Sequence, residues 1–300
     1  MSLSLPGPLR GAIIFSMLLL NTFFWMFPVY AAAILKLLLP FRGIRTFFDL
    51  GLNWMCHAWM YCNNEFIIGL FKDVEYDVQG LDALKPDEWY LVIANHQTWV
   101  DIIVLHKVMH GRIPFIKYFL KRELIWLPIL GLVWWALDYP FMKRYSPELI
   151  KRKPHLKGKD IQATRKACEK FKDTPASIMN FVEGTRFTPE KHASQGSPYK
   201  YLLKPRSGGI TFVFSAMGEY INKAIDITIF YPEGVQGLWG FLCSKRSRIA
   251  VRINVRTVEE SLKSGNPDDT EYRARCSSWI NSIWEDKDSE IDRLRKEYSK

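Results

Sequence analysis

Leu91 to Asp101 reads LVIANHQTWVD, an apolar run that ends on a histidine and, five positions later, an aspartate. On one continuous helix an offset of five sets two side chains apart around the axis, because only residues three or four apart share a face. His96 and Asp101 therefore meet only if the backbone turns between them. Tyr90 to Ala94 predicts a strand, and the amphipathic DIIVLHKVM that opens at Asp101 predicts a helix. His96 then sits at a strand-to-helix corner, where a carboxylate on one ring nitrogen fixes the tautomer and leaves the other nitrogen free to take a proton. Such a pair would activate a hydroxyl. The same residue types also serve ordinary turns and helix caps, so the decision rests on other stretches.

Ser177 to Arg186, SIMNFVEGTR, repeats the pattern, an apolar strand breaking abruptly into Glu183, Gly184, Thr185 and Arg186. If the two strands are parallel their carboxyl ends share an edge, and that edge is where open α/β sheets bind ligands. Gly184 lets the backbone approach an anion, and the planar fork of Arg186 grips a phosphate at about 1.5 to 3 kcal/mol per charge-assisted bond. A strand-end turn with a surface arginine is the plainer alternative. Val74 to Gly80 reads as an edge strand, and Leu137 to Met142, Ala224 to Pro232 and Arg248 to Val258 as further strands. Ile161 to Lys172 and the segment before Met217 read as helices, and a charged helix from Asp268 onward carries Trp279 and Trp284 on one side.

The chain has 300 residues, 48% of them hydrophobic and 14% aromatic, which excludes disorder and permits a sizeable core. Five cysteines without regular spacing point to reduced thiols rather than a disulfide framework. His106 and His110 stand four apart, a spacing that suits two metal ligands, yet no HExxH glutamate accompanies them, and neither a metal nor a cofactor is expected. The formal charge of +10 calls for anionic partners. Nucleic acid is disfavoured, because no zinc-finger spacing, basic region with heptads or RNP-like aromatic motif is present.

Gly11 to Leu35 contains no charged residue and as a helix would be about 37 Å long, against a hydrocarbon core of about 30 Å. It lacks the basic start and A-x-A-like cleavage site of a signal peptide. Asn21, Thr22 and Pro28 interrupt it, so a spanning helix and a re-entrant hairpin are both open. Arg10 precedes the run while Lys36, Arg42 and Arg45 follow it, which by the positive-inside rule puts the following segment in the cytoplasm. Thr46 to Phe71 is amphipathic, lying on the membrane or packing on the domain. Residues 1–72 thus form an anchor region, and 73–300 a second domain with a core at about 73–260 and a helical tail at 261–300. Within the second domain, FIKYFLKRELIWLPILGLVWWALDYPFMKR (Phe115 to Arg144) is either a buried helix and strand or an acyl-chain wall with Lys121 and Arg144 at its polar mouth. Lys143 to Lys159 carries seven basic residues against one acid and suits a solvated loop or an anionic lipid surface.

Taken in order, these stretches resemble the lysophospholipid acyltransferase family, the PlsC-type 1-acyl-sn-glycerol-3-phosphate acyltransferases. NHQTWVD resembles the HxxxxD block and FVEGTR the EGTR block; KRELIWLPILG with YPFMKR resembles the block between them, and TIFYP stands in place of the late strand motif. The match in order and spacing runs from about residue 73 to 232. The N-terminal region and the WEDKDSEIDRL tail are more similar to bacterial YihG-type acyltransferases. One departure is Phe230-Tyr231-Pro232, where many relatives carry Val-Pro-Ile.

The resemblance implies an α/β fold, a mixed sheet flanked by helices, with the N-terminal membrane-anchoring helical region in front. It implies His96 as base and Asp101 as its orienting partner. Arg186, with Arg144 and Lys121, would bind the acceptor's phosphate, and Glu183, Gly184 and Thr185 would shape that pocket. The donor would be acyl-CoA or acyl carrier protein, the acceptor lysophosphatidic acid, and the setting a phospholipid membrane, the cytoplasmic face of a bacterial inner membrane. Competing readings are an acyltransferase for glycerol 3-phosphate or another lysophospholipid, and a membrane-anchored scaffold that binds without catalysis.

Overall fold

The computed structural model describes residues 5–39, 41–127, 130–139, 141–142, 152, 165–166, 168–171 and 175–299. A six-stranded mixed sheet holds the strands β1 (Asp73–Gln79), β2 (Tyr90–Ala94), β3 (Ile116–Tyr118), β6 (Ser177–Asn180), β7 (Lys223–Phe230) and β8 (Arg246–Thr257), in the spatial order 1-8-7-2-6-3. β7, β2, β6 and β3 run parallel, while β8 opposes β7 and pairs parallel with the edge strand β1. The carboxyl ends of β2, β6 and β7 consequently meet along one edge, which meets the condition on which the two apolar-to-polar breaks at β2 and β6 share one. All five residues of β2 are buried, the expected state of a strand covered on both faces.

Two apolar layers sandwich the sheet. One contains Tyr90, Val92, Ala94 and helix α3 (Val100–Met109), and the other contains Leu91, Ile93, helix α6 (Gly208–Met217) and helix α8 (Thr270–Tyr298). α8 delivers Trp284, fully buried, to the second layer, with Trp279 packed against it. It also delivers Lys287, which is fully buried beneath β7, pairs with Asp226 and donates to the carbonyl of Ile227 at 2.6 Å. Burial holds the Lys287 ammonium below its ordinary range, with Asp226 the chief opposing pull. The strand expected over Leu137–Met142 is confined to β5 (Phe141–Met142), paired with β4 (Leu120–Lys121). Leu130–Ala136 is helix α4, and Asp138, in the left-handed region at φ 59°, ends that path. Most of the helix expected over Ile161 to Lys172 lies outside the described residues.

Ahead of β1, α1 (Gly7–Leu38) and α2 (Arg42–Tyr61) pack together, and α2 runs on through a π-helical turn, Cys62–Ile68, to Phe71. α1 has 32 residues and is the one described helix long and apolar enough to cross a bilayer. The polar residues that interrupt its sequence join the two helices. Asn21 donates to Asn63 at 2.8 Å and to the carbonyl of Trp59, whose indole donates to Thr22. Both ends of α1 are tied to later parts of the chain. Arg10, buried, donates to the Cys243 carbonyl at 3.0 Å, and a side chain at Gly11 would collide with the Cys243 sulfur in helix α7 (Leu238–Cys243). Lys36, also buried, donates to the carbonyl of Ala136 and to Asp138. Ile14 belongs to the core of the sheet domain.

Asp226→Ala removes the carboxylate that faces Lys287 and leaves a cation uncompensated in the interior, a loss of about 3 to 5 kcal/mol. Denaturation of the purified variant in detergent should show a clearly lowered midpoint; an unchanged midpoint would mean that the pair does not hold α8 on the sheet.

Candidate active site

His96 lies two residues beyond the end of β2, and its position follows from what Asn95 does. The buried Asn95 amide donates to the Ile229 carbonyl and accepts from the Ile229 amide, each at 2.9 Å, clamping the exit of β2 to β7. Gln97 donates to the same carbonyl. The chain then reverses, and Asp101 in the first turn of α3 faces back, with Oδ2 2.9 Å from His96 Nδ1. That oxygen also accepts the Gln97 and Thr98 amides at 2.6 and 2.9 Å, so the carboxylate builds the turn as well as orienting the ring. Asp101 is fully buried, whereas His96 retains 14% exposure. An ionised carboxylate can only accept, so the contact requires the proton on Nδ1 and leaves Nε2 as the basic nitrogen. The ring stacks on Phe181, with centroids 4.0 Å apart and planes 19° from parallel.

The β6 loop completes the corner. Glu183 is buried; one carboxylate oxygen accepts the His96 amide at 2.9 Å and the other the Leu203 amide at 3.1 Å. Burial pushes its pKa up to about 8 against those two donors. Glu183 thus fastens two loops by their backbones. Phe187 returns the connection by donating to the His96 carbonyl at 2.7 Å. Gly184, at φ 69°, occupies the left-handed region, and a side chain there would come within 3.4 Å of the Arg206 chain, which passes over it. Thr185 accepts from Lys191 at 2.7 Å. Arg186 is exposed and its guanidinium lies over the Trp99 ring at 5.0 Å, a cation–π seat that leaves the fork's edge open. Among the described residues no carboxylate pairs with Arg186 or Arg206.

Sequence reasoning therefore placed His96, Asp101, Glu183, Gly184, Thr185 and Arg186 at one edge, and the structure brings their loops together there. Lys121 enters only through its backbone in β4, in register with Met142; its side chain and all of Arg144 lie outside the described residues. Arg206 was missed; in the sequence it is one of two basic residues in YLLKPRSGG, Tyr201 to Gly209. Tyr231 was noted only as a departure from the family pattern. Its hydroxyl donates to the second Asp101 oxygen at 2.6 Å, and burial together with the Asp101 charge holds that phenol protonated well above its usual range. Four donors thus saturate one carboxylate. His106 is buried in α3, its pKa pushed down to about 3 by burial, and His110 lies past the helix end against the His57 ring. Among the described residues no three potential ligands gather as a metal site.

A His–Asp dyad at a strand-to-helix corner, near two guanidiniums that no carboxylate pairs among the described residues, can activate a hydroxyl close to an anionic group. The family model described as "Acyltransferase" matches residues 75–233, more than half of the chain, and the protein belongs to that acyltransferase family. Similar proteins include mouse 1-acyl-sn-glycerol-3-phosphate acyltransferase gamma, 26% identical over 67% of this chain and 52% of its own length. The mouse epsilon enzyme is 23% identical over 76% of this chain and 65% of its own length. The chain spans about half to two thirds of these relatives. In fold it resembles the crystal structure of the 1-acyl-sn-glycerophosphate acyltransferase PlsC from Thermotoga maritima, with a TM-score of 0.50 and 16% identity over 95% of each chain. The YihG-type likeness has no counterpart among these matches.

Two consequences can be measured. Tyr231→Phe removes one of four donors to Asp101 and should lower kcat about tenfold, the kinetic equivalent of about 1.4 kcal/mol, with KM for the acceptor little changed; unchanged kcat would assign the hydroxyl to packing alone. Glu183 has a folded-state pKa raised above its unfolded value, so its contribution to stability is full below about pH 4.5 and is lost as pH rises through about 8. The stability difference between the wild type and Glu183→Gln should therefore shift against the wild type from pH 5 to pH 9, and a pH-independent difference would contradict the raised pKa.

Proposed function

We propose that this chain transfers a fatty acyl group from an acyl thioester to the free sn-2 hydroxyl of 1-acyl-glycerol 3-phosphate, giving phosphatidic acid. The observation that carries this reading is the 2.9 Å contact between His96 Nδ1 and Asp101 beside the open guanidiniums of Arg186 and Arg206. Nε2 takes the hydroxyl proton while the oxygen attacks the thioester carbonyl. The tetrahedral adduct then collapses, the C–S bond breaks, and the thiolate leaves as a thiol with the proton returned by the imidazolium. No acyl-enzyme is required, and among the described residues no serine or cysteine is hydrogen-bonded to the dyad. Arg186 and Arg206 would hold the acceptor's phosphate, with Gly184 allowing the close approach. Lys121 and Arg144 are retained in this proposal as further cations at the same mouth.

The anchor supports a lipid substrate. Leu20, Phe23, Phe24 and Phe27 of α1, with Phe47, Leu50 and Trp54 of α2, are exposed, an apolar surface far larger than a water-facing domain shows. Because Arg10 and Lys36 tie both ends of α1 to the rest of the chain, the hairpin is best accommodated by dipping into one leaflet with the sheet domain on the same side. We place that domain on the cytoplasmic face of a bacterial inner membrane, a setting that agrees with five free cysteines. An apolar chamber of about 160 Å³ between α1, α2 and α4, lined by Trp25, Met55, Trp134 and Tyr139, would receive acyl chain.

Purified protein with lysophosphatidic acid and labelled oleoyl-CoA should form phosphatidic acid, and His96→Ala should lose about 10² to 10⁴ of that rate while the protein stays folded. Labelling of glycerol 3-phosphate in preference, or near-normal turnover by the variant, would overturn the acceptor or the base respectively. Arg186→Ala should raise KM for the acceptor as well as slow the rate; an unaltered acceptor dependence would remove Arg186 from the phosphate site.

A further inference from the structure

Acyl transfer joins two substrates, and if both carry phosphate each needs its own cationic station, because one station would set like charges against each other. Arg186 and Arg206 make one station. A second lies across a cavity of about 670 Å³ that neither of them lines, a size typical of ligand sites. Its inner wall is made by Gln97, which directly follows His96, by Phe187, whose amide donates to the His96 carbonyl, and by Tyr231, whose hydroxyl holds Asp101. Its outer wall is made by Lys200, Tyr201 and, from the last turn of α8, Arg295.

We propose that this cavity takes the phosphopantetheine arm of the acyl donor, with its phosphate held by Arg295 and Lys200, the two cations seated at the Tyr201 ring. The inference rests on the acyl-transfer reading. The Arg295 guanidinium and the Lys200 ammonium each lie 4.9 Å from the centre of that ring. Asp292 accepts Lys200 at 3.1 Å, the Tyr201 hydroxyl at 2.7 Å and Lys296 at 2.6 Å. Asp288 accepts the backbone amides of Lys200 and Tyr201. Both carboxylates are thus engaged, and among the described residues none pairs with Arg295. The aromatic ring seats an exposed guanidinium that lines the cavity, an arrangement suited to a phosphate. The wall between the cations and the dyad is largely uncharged, carrying Phe187, Phe230 and Tyr231, which suits a linear neutral amide arm that ends in a thioester beside His96. Acyl-CoA and acyl carrier protein present the same arm, so one cavity serves either source.

The test uses the full chain and Arg295→Glu with three oleoyl donors: CoA, acyl carrier protein, and N-acetylcysteamine, which has the thioester and one amide but no phosphate. Arg295→Glu should raise KM for the phosphopantetheine donors at least tenfold more than for the N-acetylcysteamine donor. A rise confined to CoA or to the carrier protein supports the cavity and names the physiological source. Equal changes for all three donors, or none, would overturn the proposal. Val235→Trp, which narrows the cavity from its rim, should raise KM for both phosphopantetheine donors, and unaltered values would also overturn it. Binding is read separately from turnover by titrating 4′-phosphopantetheine against pantetheine. The wild type should prefer the phosphorylated arm and Arg295→Glu should lose that preference. Absence of a preference in the wild type would refute the cavity even in an active transferase, and a preference abolished by the variant would support it even if no acyl transfer were detected.

Discussion

The carboxylate of Asp101 is the constraint on which the rest of the corner depends. It is fully buried, and a buried anion is tolerated only when its acceptor sites are occupied. Two backbone amides, a phenol and an imidazole nitrogen occupy them. The amides force the turn after β2, the phenol ties the turn to the end of β7, and the imidazole is what the arrangement leaves for chemistry. The same contacts that make the charge affordable therefore also fix the ring's position and tautomer. Glu183, one strand away, also fixes backbone, holding the His96 and Leu203 amides with its two oxygens.

Much of this was legible in the sequence because it is local. The offset of five between His96 and Asp101 demanded a turn, and two apolar runs ending in polar residues would share an edge if their strands were parallel, a condition the pairing of β2 with β6 meets. Tyr231 was not legible as a partner of Asp101, since 130 residues separate them and only the parallel pairing of β7 with β2 brings their ends together. Arg206 was hidden for a similar reason, because its approach to Gly184 depends on how the loop before α6 folds back. Leu137 to Met142 misled because its short apolar pieces fit a helix end as well as a strand; the helix Leu130–Ala136 runs up to it, and Asp138, in the left-handed region, separates that helix from the two-residue strand β5.

The anchor shows a second limit of one-dimensional reading. Asn21 and Thr22 look like interruptions of a membrane helix until α2 is laid against it, when they become its hydrogen-bonded seam, the role small polar residues take between helices in lipid. Arg10 and Lys36 counted as flanking charges in the sequence, yet both are buried and bonded within the protein, so neither reports on a lipid surface. The resulting geometry joins the apolar hairpin to the sheet domain, which agrees with the proposed transfer to an acceptor drawn from a bilayer.

The direct test of the account is the protonation of one ring. Nitrogen-15 NMR of histidine-labelled protein should find the His96 ring proton on Nδ1, in a downfield-shifted hydrogen bond that Asp101→Asn abolishes. A proton on Nε2 in the wild type, or a spectrum indifferent to Asp101, would contradict the account, because the nitrogen assigned to accept the acceptor's proton would then be neither free nor held in place.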